Sequence, residues 1–258
     1  MQKRIDTIIN GKGGVGKSFF AVNLIQYLKD KSIPHVAIDT DNENSTLKRF
    51  HPEATFLDIE DAKEIDSIFA ALDTADLVVV DCRAASTDIF LNYFEELEIF
   101  RLLEKSGASM TVVSPVNHET DSVEQIRNLS ERLNDRCNYL IVKNQALSER
   151  FGNYEQSKTR ARLVEQLGAK EIQMPKLYDW LVADLNKRDL TITPAIRHES
   201  FTLFDRQRLC NWQRRFYDQL DSANEFLLPN ARKLKKQKKF ARMNESDDFE
   251  RTGTTCST

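Results

Sequence analysis

The feature that most constrains this chain is an octapeptide with four glycines and two lysines near its N-terminus. It satisfies the phosphate-loop pattern G-x-x-x-x-G-K-[ST] at residues 11–18. Such a loop binds phosphate through backbone N–H groups, and its glycines allow close approach and positive φ angles. The pattern therefore predicts a nucleotide-phosphate site at Gly11, Lys12, Gly13, Gly14, Val15, Gly16, Lys17, Ser18 and Phe19.

A strand and a helix are predicted on either side of this loop, as the pattern requires. A short apolar run at residues 5–9 precedes it and is typical of a buried strand. Apolar residues at 19–28 recur with helical spacing after it. At the N-terminus of that helix, Lys17 would place its charge beside the terminal phosphates and Ser18 a hydroxyl on Mg²⁺.

The rest of the chain alternates between apolar runs and helical patterns. The runs lie at 36–38, 77–80, 110–113, which Ser114-Pro115 should stop, and 139–142. The helical patterns lie at 88–105, 119–134 and 155–167. This alternation predicts an α/β fold with three layers and a mainly parallel, doubly wound sheet.

In such a sheet the ligand binds at the carboxyl ends of the strands. Residues that follow the predicted strand ends should therefore converge on one site. They are Gly11, Asp39, Asp81, Pro115 and Asn144.

The pattern changes after residue 176, but no second domain is indicated. We predict a helix at 178–187, a loop at 189–199 and a long helix at 204–226 with an apolar stripe. Trp180 and Trp212 are expected in the core. Residues 1–229 are thus assigned to one nucleotide-binding domain.

Residues 230–258 form a basic and then acidic C-terminal tail, which we predict to be largely disordered. The run at 232–242 contains lysines and arginines without an acidic residue. It is either a solvated helix end, a contact for DNA phosphates, or an attachment to an acidic membrane or protein. Its few large apolar side chains favour DNA or an acidic protein over a membrane.

Bulk composition sets limits on the class of protein. The 258 residues suffice for one large α/β domain, and the net charge of −3 excludes a globally basic nucleic-acid-binding protein. The four cysteines are scattered singly, so no disulfide framework or zinc site is indicated. With no signal peptide or apolar run of membrane-spanning length, we expect a cytoplasmic protein.

With Lys12 directly after its first glycine, the octapeptide resembles the deviant Walker A loop of the ParA/MinD family of ATPases. The resemblance extends over roughly residues 3–228 and implies ATP and Mg²⁺ as cofactors. It also implies a homodimer that forms on ATP binding, in which Lys12 contacts the phosphates held by the partner. These ATPases position plasmids, chromosomes and division septa.

The resemblance assigns roles to further residues. Lys12 and Lys17 would stabilise the charge of the transition state, and Asp39 would orient the attacking water. Asp81 would support Mg²⁺ together with Ser18. Asn144 would hydrogen-bond the adenine edge. The alternatives are that Asp39 and its neighbour Asp41 cap a turn and that Asn144 is a polar turn residue.

Two segments depart from the usual family pattern. Cys82-Arg83-Ala84-Ala85 stands where Thr-Pro-Pro is common, and residues 41–43 read Asp-Asn-Glu instead of Asp-Pro-Gln. Both changes resemble the smaller ParA-like proteins encoded with plasmid transfer and stability genes, the TraL and StbC type.

The sequence favours an ATPase switch with slow, partner-stimulated hydrolysis that acts in plasmid partition, stability or conjugative transfer, or in related cargo positioning. One alternative is a metabolic P-loop ligase or kinase of the dethiobiotin-synthetase kind. Another is a nucleotide-bound adaptor that hydrolyses little, which the changed residues 82–85 permit.

Overall fold

Seven parallel strands form the centre of the molecule in a computed structural model that describes residues 2–229. The strand order is β3-β2-β4-β1-β5-β6-β7. The strands are β1 (Lys3–Ile8), β2 (Val36–Asp39), β3 (Thr55–Phe56), β4 (Leu77–Asp81), β5 (Ala108–Val116), β6 (Asn138–Asn144) and β7 (Lys170–Met174).

Helices cover both faces of this sheet, as expected for parallel strands joined by crossover helices. On one face lie α1 (Lys17–Asp30), α2 (Thr46–Phe50), α9 (Asp179–Arg188), α10 (Ile192–Arg197), α11 (Leu203–Ser222) and α12 (Asn224–Leu227). On the other lie α3 (Ala62–Ala70), α4 (Thr87–Glu96), α5 (Ile99–Lys105), α6 (Thr120–Leu133), α7 (Gly152–Glu155) and α8 (Lys158–Ala161). The predicted three-layer, doubly wound α/β fold is therefore confirmed.

Strand β1 lies at the centre of the sheet, between β4 and β5. Ile5 packs into the core on one face and Ile8 into the core on the other, as alternation along a strand requires. Ile8 is opposite Asp81 of β4 and Val113 of β5. The loop that follows β1 therefore begins at the middle of the sheet's carboxyl edge, where ligands bind in this architecture.

Strand β5 continues through Val116, so the predicted stop at Ser114-Pro115 is wrong. The pairing between β1 and β5 ends at Ile8 opposite Val113. Pro115 therefore lies beyond the end of β1, where its missing N–H removes no ladder hydrogen bond. Its carbonyl instead accepts a hydrogen bond from the Asn10 side chain at 3.0 Å.

Several helical predictions also need correction. The pattern at 88–105 forms two helices, α4 and α5, because Glu98 adopts a left-handed φ of 48°. The predicted loop at 189–199 contains α10, and the predicted helix at 155–167 is α8 followed by a π-helical turn at Arg162–Gln166. The long C-terminal helix ends at Ser222, and α12 follows it.

Trp212 is buried, whereas the prediction that Trp180 lies in the core is wrong, since 51% of it is exposed. Within residues 2–229, none of the helices has the length and apolar character needed to cross a membrane. The predicted C-terminal tail at 230–258 lies outside the described residues.

Candidate functional site

The loop between β1 and α1 has the shape that its glycines predict. Gly14 and Gly16 have φ angles of 73° and 98°, which L side chains rarely adopt. Gly16 is also the N-cap of α1, and a Cβ atom there would lie 2.4 Å from the Asn144 side-chain nitrogen. Only glycine fits this position, and the loop's N–H groups can therefore surround a phosphate.

Asn10 orders the start of the loop, a role that the sequence pattern did not reveal. Its buried side-chain nitrogen donates to the carbonyls of Pro115 and Ser122, both at 3.0 Å. Its Oδ1 accepts the N–H of Lys12 at 3.0 Å. Asn10 thereby joins the loop to β5 and α6. The only sequence signal is a polar residue at the end of an apolar run.

Lys17 lies folded over the loop that precedes it. Its Nζ donates to the carbonyls of Asn10 at 2.8 Å and Lys12 at 3.0 Å. Burial lowers the pKa of Lys17, and the nearby Asp81 opposes that shift. The ammonium therefore lies within the loop, beside the N–H groups that bind phosphate in this motif.

Asp81 ends β4 and is fully enclosed. In the part of the chain that the structure describes, neither carboxylate oxygen has a hydrogen-bond partner of good geometry, although the Ser18 hydroxyl lies close enough to affect the pKa of the carboxyl. Burial raises the pKa of Asp81 to about 8; Asp39 adds to the shift and Ser18 and Lys17 oppose it. An orphaned buried carboxylate beside a hydroxyl fits the oxygen ligands that Mg²⁺ prefers, directly or through water.

Asp39 lies at the end of β2, directly opposite Asp81 in the neighbouring strand. Its Oδ1 accepts the N–H of Asp41 at 2.9 Å, and its Oδ2 accepts the N–H of Lys48 at 3.0 Å. Burial raises the pKa of Asp39, and these backbone N–H groups oppose the shift. The turn-capping alternative is thus part of what this carboxylate does, and its catalytic role stays a prediction.

Lys12 points away from the loop that contains it. Its Nζ lies 3.4 Å from a carboxylate oxygen of Glu119 and 3.5 Å from one of Asp121, at the start of α6. Glu119 raises the pKa of Lys12, and Asp121 adds to the shift. One third of the Lys12 side chain remains exposed, so it lies at the surface of the site.

Asn144, which the sequence predicts to bind the base, contacts the loop near Val15 and Gly16. Asn144 donates from its side chain to the Val15 carbonyl at 2.9 Å and accepts the N–H of Ala146 at 3.0 Å. The Asn144 amide therefore supports the loop, and its contact with adenine stays a prediction. Phe19 packs edge-on against Trp212, which orients the first turn of α1.

These elements enclose a cavity of about 310 Å³ above the loop. It is lined by Gly13, Gly14, Gly16, Lys17, Ser18, Phe19, Asp41, Asn44, Thr46, Cys82, Arg83 and Ala84. Asp39 and Asp81 lie beneath this lining and Lys12 beside it. The predicted residues at the strand ends thus converge on the loop, but Asn144 and Pro115 contact it from outside the cavity.

A scan against protein families matches residues 6–157, more than half of the chain, to the CobQ/CobB/MinD/ParA nucleotide binding domain. Protein TraL of Escherichia coli is 28% identical over 239 residues, which cover 85% of this chain and 98% of TraL. Protein MobD of Acidithiobacillus ferrooxidans is 23% identical over 220 residues, or 83% of this chain and 94% of MobD.

Among solved structures, the septum site-determining protein MinD of Pyrococcus horikoshii OT3, complexed with Mg-ADP, superposes with a TM-score of 0.54. The identity is 14%, and the superposition covers 87% of this chain and 96% of that one. This likeness concerns the fold.

Proposed function

Because the chain belongs to the CobQ/CobB/MinD/ParA nucleotide-binding family, we propose that it is a Mg²⁺-dependent ATPase that dimerises when ATP is bound. The observation that carries the proposal is the position of Lys12. This lysine extends outward from the phosphate loop, and within residues 2–229 its ammonium pairs with two carboxylates that are partly or largely exposed. Partly exposed ion pairs contribute little free energy, so a second subunit's phosphates can replace them.

The chemistry follows from the residues around the cavity. Lys17 and the loop N–H groups would bind the triphosphate, and Ser18 with Asp81 would hold Mg²⁺, which neutralises developing phosphate charge. Asp39 retains lone pairs beyond its two backbone hydrogen bonds and would orient the attacking water. Its engagement by the N–H groups of Asp41 and Lys48 supports slow hydrolysis until a partner protein shifts that turn.

For the biological role, we propose an action in plasmid partition, stability or conjugative transfer. The similarity to proteins named TraL and the departures at residues 41–43 and 82–85 support this assignment. The basic run at 232–242 would contact DNA phosphates or an acidic protein. A cytoplasmic location is part of the same proposal.

The oligomeric state tests the dimer directly. We expect light scattering to show a monomer with Mg-ADP and a dimer with Mg-ATP. Lys12→Ala should bind ATP but stay monomeric, because the contact across the interface is lost. Lys31→Ala is the matched control, since Lys31 lies at the far end of α1 and forms a surface ion pair with Asp221. A wild-type monomer with both nucleotides would contradict the proposal.

A second function is favoured by one observation, the occupation of both Asp39 oxygens by backbone N–H groups. A nucleotide-bound adaptor that hydrolyses little would have such a site. Single-turnover hydrolysis with and without DNA distinguishes the two functions: no detectable ADP under either condition supports the adaptor. Steady turnover that survives Lys12→Ala would instead favour a ligase or kinase.

A further inference from the structure

Two cationic side chains line the phosphate cavity among the residues that the structure describes, Lys17 and Arg83. Lys17 is part of the phosphate-loop pattern, whereas Arg83 belongs to the segment that departs from the usual family sequence. Arg83 follows Asp81, the residue assigned to Mg²⁺, by two positions along the chain, and it lines the same cavity as Lys17. An arginine at this place needs a physical explanation.

The backbone around Arg83 is fixed in place. Its N–H donates to the Thr40 hydroxyl at 3.1 Å, and its carbonyl accepts from the Ser86 hydroxyl at 2.8 Å. Two residues later, the N–H of Ala85 donates to the carbonyl of Gly11 at 3.1 Å, which joins this segment to the start of the phosphate loop. These hydrogen bonds hold the backbone of Arg83 beside the cavity.

The backbone of this segment is strained at Ala85. Its φ of 58° is in the left-handed region, which favours glycine over alanine. Strain of this kind persists where the surrounding contacts over-determine the backbone, and it concentrates at functional and switch segments. Here the strained turn brings residues 83–85 against the start of the phosphate loop at Gly11.

In contrast to its backbone, the Arg83 side chain has one ion-pair partner among residues 2–229, and that partner is exposed. Its Nη2 forms an ion pair with the Glu60 carboxylate, in the turn before α3. The Glu60 side chain is 61% exposed, whereas Arg83 is only 22% exposed. An exposed carboxylate contributes little to holding an arginine, because water screens the charge. A terminal phosphate carries more charge and accepts two parallel N–H bonds.

We propose that Arg83 senses and stabilises the terminal phosphate of ATP bound in its own subunit, and that Glu60 holds its guanidinium when that phosphate is absent. This inference rests on the proposed ATPase function and adds a residue to its site. Hydrolysis joins a water oxygen to the γ-phosphorus and breaks its bond to the β–γ bridging oxygen. The bonding electron pair leaves with ADP, and one water proton passes to the released phosphate or to solvent.

Arg83 would act on the negative charge that spreads over the γ-phosphate oxygens during this step. Its planar guanidinium can donate two hydrogen bonds to them at once, which a lysine ammonium cannot reproduce. The ion pair with Glu60 then competes with phosphate for the same donors. Removing the Glu60 charge should therefore strengthen ATP binding, and removing the Arg83 charge should weaken it.

Three variants of the full chain test this competition: Arg83→Ala, Arg83→Lys and Glu60→Gln. The matched control is Arg101→Ala, which breaks an exposed arginine–glutamate pair on α5, formed at 3.0 Å with Glu98. The affinities of Mg-ADP and of a non-hydrolysable Mg-ATP analogue are measured by displacement of a fluorescent nucleotide. Single-turnover hydrolysis and thermal unfolding are measured on the same samples.

We expect Arg83→Ala to bind the ATP analogue about 10-fold more weakly, with ADP affinity within about 3-fold of wild type. Its single-turnover rate should fall about 100-fold or more, and Arg83→Lys should not restore it. Glu60→Gln should have the opposite effect and bind the ATP analogue more tightly relative to ADP than wild type does. Because Arg83→Lys and Glu60→Gln are mild changes, they still test the proposal if Arg83→Ala fails to fold.

The role of Arg83 would be overturned if both Arg83 variants kept the wild-type ratio of ATP-analogue to ADP affinity and the wild-type turnover. The proposed ATPase function would be unaffected by that result. A shift of the same size in Arg101→Ala would overturn the role of Arg83 as well. Wild-type protein that binds neither nucleotide would instead overturn the proposed function, and this inference with it.

Discussion

At the scale of single residues, Asp6 is the most unusual member of the core. It lies in the central strand β1 with no exposed surface, and neither carboxylate oxygen has a hydrogen-bond partner within residues 2–229. Burial raises the pKa of Asp6 well above its ordinary range, and the neighbouring Arg4 only partly opposes that shift. Asp6 therefore binds its proton more tightly in the folded state than in the unfolded chain.

This shift predicts a pH dependence of stability with a definite sign. Above about pH 4, where Asp6 ionises in the unfolded chain, the folded state holds more protons, so the free energy of unfolding falls as pH rises. The loss is roughly 1.4 kcal/mol per pH unit until the folded-state pKa is passed. Asp6→Asn cannot ionise, so its free energy of unfolding should rise relative to that of wild type as the pH increases above about 4.

Urea unfolding at several pH values measures this difference. Asp88→Asn is the control, since it makes the same substitution at a largely exposed carboxylate at the start of α4. Parallel stability curves for wild type and Asp6→Asn would show that Asp6 does not titrate in this way.

The roles of some residues are encoded by a local pattern and can be predicted from the sequence. Lys17 and Ser18 follow from the loop motif alone, because the motif fixes their position relative to the phosphates. The roles of Asn10 and Arg83 did not follow from it. Their partners, such as Ser122 and Glu60, are far away in sequence, so no local spacing marks them.

At the scale of elements, buried parallel strands were the easiest to predict. Runs such as 77–80 are apolar throughout because both faces of the sheet are covered. Helix α2 and strand β3 were not predicted, because five and two residues are too few to show a clear period. Helix α3 was missed although Ile65, Ile68 and Phe69 recur with helical spacing. Helix breaks such as Glu98 depend on tertiary packing rather than on glycine or proline.

The two tryptophans differ in burial: Trp212 on α11 lies in the core, and Trp180 on α9 lies at the surface. Trp212 on α11 is 4% exposed, and its indole N–H donates to the Pro175 carbonyl at 2.7 Å. This bond fixes the segment after β7 against α11. Trp180 instead stacks on Tyr178 at the surface, and Arg208 lies over both rings.

Trp212→Phe should therefore destabilise the protein by about 1–3 kcal/mol, because it leaves the buried Pro175 carbonyl without a donor. Trp180→Phe, the same change at an exposed site, should stay within about 0.5 kcal/mol of wild type. Chemical denaturation of the two variants gives both values. Equal losses would mean that the Trp212 hydrogen bond does not anchor α11.

At the scale of the whole molecule, the strand order creates the site. Residues from β1, β2 and β4 are separated along the chain, yet those strands are adjacent in the sheet, and Asp39 lies opposite Asp81. The resemblance to the ParA/MinD family, including its TraL-type members, is confirmed by the family match and the related proteins. The doubly wound fold agrees with it.

The basic run gives a prediction for the full chain. If it contacts DNA, neutralising Lys235, Lys236, Lys238 and Lys239 should weaken non-specific DNA binding. The slope of log affinity against log salt should shrink by up to about 3.6, since each phosphate contact contributes about 0.9. Fluorescence anisotropy over a range of salt concentrations measures the slope.

The control neutralises four exposed lysines spread over the domain: Lys63, Lys105, Lys158 and Lys187. An unchanged slope would exclude DNA contact by this run.

The sequence by itself determined the phosphate loop, the parallel α/β architecture and the family, because these depend on local glycine spacing and on apolar runs that any buried parallel strand requires. Only the tertiary structure decided what holds the loop. The bonds from Asn10 to β5, from Asn144 to Val15 and from Ala85 to Gly11 join segments far apart in the chain. Their formation depends on strand order and register, which no local pattern specifies.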